Sequence, residues 1–96
     1  VKALRKAFEA LSNEKRLEIL LSLMESGESN VGKIARRHKM TMTTTSRHLK
    51  ILENAGLVHG NQVGRNVIYE AETYSPSLSV RSLLTLIEKS PKRRSR

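Results

Sequence analysis

A chain of 96 residues allows one small domain, and three aromatics (Phe8, Tyr69, Tyr74) leave its core to aliphatic side chains. The chain has no cysteine, which excludes a disulfide framework, a thiolate metal site and thiol redox chemistry. Its net charge is +9, and no apolar run approaches the ~18 residues that would cross a bilayer, so the expected partners are polyanions and not a membrane.

Lys2 to Leu11 reads as a helix, because Ala3, Leu4, Ala7, Phe8 and Leu11 recur at spacings of three and four. Ser12 or Asn13 caps a second helix, with Glu14 in its first turn favouring the helix dipole. Leu17, Ile19, Leu20, Leu21, Leu23 and Met24 make this helix apolar around much of its circumference, as a central buried helix should be, and Gly27 ends it. Asn30 caps a short third helix with Val31, Ile34 and Ala35 inward and Lys33, Arg36 and Arg37 outward. His38-Lys39-Met40 is the turn. Thr41 then caps a fourth helix, Met42 to Asn54, whose inward set is Thr45, Leu49, Leu52 and His48. The run Thr41 to Ser46 is strand-like by propensity alone, but the Thr41 cap and the phase of Leu49, Ile51 and Leu52 favour the helix.

Gly56 closes that helix and Leu57 re-enters the core. Two extended runs, 57–60 and 66–71, flank a polar loop Asn61-Gln62-Val63-Gly64-Arg65 and read as a β-hairpin. Ser75-Pro76 opens a last helix with Leu78, Val80, Leu83, Leu84 and Ile87 on one apolar face. Pro91 stops it, and KRRSR is expected to be a disordered basic tail. The chain thus divides into a folded domain, residues 1–90, and a tail, 91–96.

The charge sits in two blocks. Residues 1–29 carry as many acidic as basic side chains, whereas residues 30–52 hold Lys33, Arg36, Arg37, Lys39, Arg47 and Lys50 with no acid, and the tail adds more. Two short amphipathic helices with an apolar and a basic face, joined by a tight turn, are the sequence form of a helix-turn-helix. With the hairpin behind it, the expected fold is mainly α with a small β-hairpin, a winged helix-turn-helix in the order α-α-α-α-β-β-α. The first and last helices have more apolar surface than one small domain needs. Leu4, Phe8 and Leu11 on one, and Leu83, Leu84 and Ile87 on the other, are the expected dimer interface.

Three stretches, LRKAFEALSNEKRLEILLSLMESGE, VGKIARRHKMTMTTTSRHLKILENAGLV and VGRNVIYEA, carry a resemblance to the ArsR/SmtB family of bacterial and archaeal transcriptional repressors. ALSNEKRLEIL and TSRHLKILENAGLV are the most specific pieces; the latter resembles the family's recognition helix and its exit into the wing. The resemblance implies a cytoplasmic, nucleoid-associated homodimer that binds an imperfect inverted repeat in double-stranded DNA and is released by an effector. The chain departs from the family's metal sensors. Asn30-Val31-Gly32 stands where Cys-Val-Cys is common, the whole chain has no Asp, and Ser77 to Ser90 has no His. No metal or other cofactor is therefore expected, and the effector is not named by the residues. Met42 stands where a polar base-reader such as Gln is common.

Arg47 lies mid-helix on the outward face with Thr43 and Ser46 beside it, and Arg pairs bidentately with guanine O6 and N7. These three are the expected base readers, against the reading of Arg47 as an ordinary solvated arginine. Lys33, Arg36, Arg37, Lys39, Thr41, Thr44 and Lys50 are the expected backbone contacts, against a plain solvated face. Gln62, Arg65 and Asn66 are the wing candidates, with Arg65 aimed at the minor groove and an ordinary hairpin loop as the alternative. His38, His48 and His59 are isolated and fit packing better than metal ligation. No Gly-rich phosphate loop, HExxH or positioned nucleophile is present, so no enzyme is expected. Two rival readings of the same residues are a non-specific architectural nucleic-acid binder and a winged helix used for protein–protein contacts.

Overall fold

The computed structural model describes residues 2–72, which run α1 (Lys2–Leu11), α2 (Glu14–Ser26), β1 (Glu28–Asn30), α3 (Val31–His38), α4 (Met42–Asn54), β2 (Val58–Val63) and β3 (Asn66–Ala71). The residues read as a last helix, including Leu83, Leu84 and Ile87, and the basic tail lie outside the described residues.

Local chemistry sets the helix starts. Asn13 Oδ1 accepts from the Arg16 amide at 3.0 Å, Asn30 Oδ1 from the Lys33 amide at 2.8 Å, and Thr41 Oγ1 from the Thr44 amide at 3.1 Å. Each satisfies one amide that the first turn leaves without a helical partner. Of the two candidate caps before α2, Asn13 is the one used. Its far end closes on Gly27, whose amide donates to the Leu23 carbonyl at 2.9 Å.

The helices α3 and α4 end in the same kind of turn. At the end of α4, Gly56 has φ +80° and the Leu57 amide donates to the Leu52 carbonyl at 3.0 Å. At the end of α3, Lys39 has φ +57°, and the Met40 amide donates to the Ala35 carbonyl at 2.9 Å. Glycine adopts this left-handed backbone freely, while lysine does so at a steric cost of about 1–2 kcal/mol. The turn of the helix-turn-helix is therefore held by its surroundings against the preference of its central residue. His38, read as part of that turn, is the last residue of α3.

Two features of the sheet differ from the reading of the sequence. The hairpin loop is shorter, because Asn61, Gln62 and Val63 belong to β2 and pair with Ile68, Val67 and Asn66, leaving Gly64-Arg65 as the turn. Gly64 has φ +63°, which suits a two-residue hairpin turn. The hairpin also gains a partner: Glu28, Ser29 and Asn30 pair antiparallel with Glu70, Tyr69 and Ile68, making a three-stranded sheet in the order β1-β3-β2. Such a short polar strand has no alternation of its own to betray it; the exposed edge of β3 supplies its hydrogen bonds.

The core is aliphatic, as the composition requires. Ala7 and Ala10 of α1, Ile19, Leu20 and Leu23 of α2, Ile34 of α3, Leu49 and Leu52 of α4, and Leu57, Val58 and Tyr69 pack as one buried cluster. In α1 the inner face is set by Ala7 and Ala10, small residues that bring the helix close, whereas Phe8 stays 56% exposed. Tyr69 lies across Gly60 on the paired strand: a Cβ there would sit 2.7 Å from its ring. Only glycine lets the ring close over β2 in this way.

Candidate nucleic-acid interface

The core seats α4 by one face, and the opposite face is left to solvent. Leu49 and Leu52 are fully buried. Thr45 is also 0% exposed, and its polarity is answered locally, because its hydroxyl donates to the Thr41 carbonyl at 2.8 Å. A buried hydroxyl with that partner avoids the cost of an unmade bond and holds the first turn shut. Thr43, Ser46, Arg47 and Lys50 are exposed, and Thr44 is half-buried. The structure thus brings the three residues read as base readers, Thr43, Ser46 and Arg47, onto one exposed face of one helix.

The backbone candidates form the flank of that face. Lys33, Arg36, Arg37, Lys39 and Thr41 are all exposed on α3 and the turn. They are not equivalent. Arg37 Nη1 donates to Ser22 Oγ of α2 at 3.0 Å, which ties part of its guanidinium to the protein. Lys50 Nζ lies 3.6 Å from Glu53 Oε1, an exposed pair that weakens its field. Lys33, Arg36 and Lys39 form no salt bridge among the described residues. In the wing, Gln62, Arg65 and Asn66 are exposed, and Gln62 Nε2 donates across the turn to the Gly64 carbonyl at 3.1 Å.

Two contacts that the sequence reading missed hold this surface in place. Arg16 of α2 donates from Nε to the Ala10 carbonyl at 2.6 Å, and its Nη1 lies 3.2 Å from His48 Nδ1. One guanidinium therefore ties the end of α1 to the middle of α4. Second, Glu53 Oε2 accepts from the Gly60 amide at 3.3 Å, joining the end of α4 to the wing strand. Neither pairing has a local signal: residues 16 and 48 are far apart in sequence and meet only in the fold. His59 bridges the strand pair, with Nε2 3.2 Å from Glu70 and Nδ1 3.2 Å from Glu72, the second contact lacking hydrogen-bond alignment. Among the described residues, no group of three or more His, Cys, Asp or Glu side chains is placed to hold a metal ion. No helix among them is long and apolar enough to cross a membrane.

Burial pushes the His48 imidazole below its ordinary value, and the neighbouring Arg16 and Arg47 charges push the same way. Burial likewise lowers His38, with Glu18 opposing and Lys15 and Arg37 assisting. Both rings therefore take up a proton less readily in the fold than in the unfolded chain, and His48 Nδ1 accepts from Arg16. The unfolded chain takes up these protons near pH 6.5 and the folded chain does so only at lower pH, so stability is lost as pH falls below about 6.5. Denaturant midpoints measured from pH 7.5 to 5 should decline. A His48→Gln variant, which has no ring to titrate, should decline less steeply over that range; equal slopes would remove His48 from the account.

Comparison with known proteins follows the same lines. The model of the family described as bacterial regulatory protein, arsR family, matches residues 13–59. The chain is 30% identical over 81 residues to the transcriptional activator HlyU of Vibrio cholerae, an alignment covering 84% of this chain and 70% of that protein. It is 29% identical over 82 residues to the transcriptional repressor SdpR of Bacillus subtilis, covering 85% of this chain and 90% of that one. Among solved structures, it is similar to a homodimeric winged helix-turn-helix DNA-binding domain from Mycobacterium bovis, described as a possible ArsR-family transcriptional regulator. The TM-score is 0.73 at 31% identity, covering 91% of this chain and 76% of that chain.

Proposed function

The chain belongs to the ArsR family of bacterial transcriptional regulators, DNA-binding proteins and not enzymes, and from that membership we propose that it is a homodimeric repressor acting on an inverted-repeat operator. The observation that carries this reading is the two-sidedness of α4. One face is locked into the core through Leu49, Leu52 and the satisfied hydroxyl of Thr45, and the other presents Thr43, Ser46 and Arg47 between flanking cations. Thr43, Ser46 and Arg47 read base edges in the major groove. Lys33, Arg36, Arg37, Lys39, Thr41, Thr44 and Lys50 hold phosphates, and Gln62, Arg65 and Asn66 bring the wing to the flanking groove.

Two copies are needed because one reading helix spans too few base pairs to specify a site, and a two-fold pair reads half-sites one helical turn apart. The half-exposed Leu4 and Leu11 and the exposed Phe8 of α1, with Leu83, Leu84 and Ile87, supply the seam. The homodimeric state of the similar Mycobacterium bovis domain supports that arrangement. Repression is steric, by occupation of a promoter, in the cytoplasm of a bacterium or archaeon, on nucleoid DNA. The relatives include both an activator and a repressor, and steric occupation is what the described residues by themselves can do.

The deciding experiment compares the strongest duplex selected from a random-sequence pool with unselected duplex of the same length, at fixed salt. A preference of at least about 10³ is expected. A ratio near one would favour an architectural binder, and no binding would favour a protein-contact role. Metal is not the signal under this reading, since the chain has neither Cys nor Asp. Adding zinc, cadmium or arsenite to the complex should leave affinity for the selected duplex unchanged; release of DNA at stoichiometric metal would overturn that part.

A further inference from the structure

Met42 is out of character with its surroundings. It is the first residue of α4 and is 56% exposed, one of three large hydrophobic side chains so exposed among the described residues, with Phe8 and Val63. Phe8 has a place in the dimer seam and Val63 lies at the wing turn. Met42 instead stands on the reading helix beside Thr43 and Ser46, where every other exposed side chain carries a donor or an acceptor. Its thioether is not adrift. The Sδ lies 4.0 Å from the point a Cβ on Gly32 would occupy, and Arg36 Nη1 lies 3.7 Å from the same point. The sulfur and the guanidinium therefore both lie near Gly32 in the first turn of α3, as does Asn30 Oδ1, 3.4 Å from the same point.

An apolar group on a DNA-reading surface has one specific partner in the major groove. Guanine, adenine and cytosine present only acceptors and amino donors there, and a thioether that covers them leaves those groups unpaired. Thymine alone presents a methyl group. An unbranched side chain with three rotatable bonds and a polarizable sulfur adapts to such a contact without strain. Resting on the DNA-reading assignment above, we propose that Met42 is a specificity-determining residue that covers the C5 methyl of a thymine in each half-site. Arg36, beside it over Gly32, holds a backbone phosphate next to that contact.

The test removes the methyl and nothing else. Each thymine of the selected duplex is replaced in turn by deoxyuridine, which keeps every hydrogen-bonding edge. Binding is measured for the wild type and for Met42→Leu, Met42→Ala and Met42→Gln. One thymine per half-site should matter to the wild type, with affinity falling about fourfold, the worth of one buried methyl group. Met42→Leu, which stays apolar, should keep that sensitivity, and Met42→Ala and Met42→Gln should lose it. The proposal is overturned if no deoxyuridine weakens the wild type, or if the loss is as large in Met42→Ala. If the pool yields no preferred sequence, the DNA-reading assignment fails and this inference falls with it. A preferred sequence without Met42-dependent methyl sensitivity sinks the inference alone.

Discussion

Arg47→Ala is expected to weaken binding to the selected operator by about 1–3 kcal/mol while changing affinity for random duplex far less, so that specificity collapses and general attraction survives. The reason is placement. Arg47 lies mid-helix on the exposed face, with Thr43 one turn before it and Ser46 adjacent, and it forms no salt bridge among the described residues. An arginine so held can present its fork to guanine O6 and N7, an interaction no random site offers in register. A salt series on both duplexes separates the effects, because losing a phosphate contact lowers the salt slope and both affinities together. Equal weakening of the two duplexes would mean that α4 is not the reader.

Leu49→Ala, only two residues further along the same helix, should have the opposite signature. Leu49 is fully buried in the cluster with Ile19, Leu20, Leu23, Leu52 and Leu57, and truncation there leaves a cavity in a small core. The expected cost is about 2–5 kcal/mol of folding stability. Domains of this kind hold only about 5–15 kcal/mol in total, so the variant should be near its unfolding threshold. Urea unfolding followed by circular dichroism would show the midpoint fall. The DNA affinity of the molecules that remain folded should keep its sequence preference. A loss below about 1 kcal/mol would mean that α4 is not seated on the core by this face.

This contrast explains what was legible in the sequence. Positions whose role is local were readable: Asn13, Asn30 and Thr41 cap helices through bonds three residues away, and Gly27 and Gly56 close them. The inward phase of Leu49 and Leu52 and the outward phase of Arg47 follow from one helical period. Features made by distant partners were not readable. Strand β1 is three polar residues that form a strand only because β3 offers an edge. Strand β2 runs on through Asn61 and Gln62, whose side chains are exposed, so hydropathy marks no boundary there. Arg16 looks like a surface cation until the fold brings His48 to it. The left-handed backbone at Lys39 is invisible because glycine, its usual sign, is absent.

The sheet has a mechanical consequence. Strand β1 leads directly into α3, since Asn30 both ends the strand and caps the helix, and β2 leaves α4 within a few residues. Both are paired to β3, one on each side. The segment from α3 through α4 is therefore a loop of chain whose two ends are clasped by one strand, like a bracelet closed at its buckle. A pull or twist delivered along β3 reaches the beginning and the end of the reading unit together, so it would tilt the unit as a whole without bending it. The two ends of the reading unit therefore share one strand as their common anchor, so its orientation is fixed at both ends by the same backbone pairing.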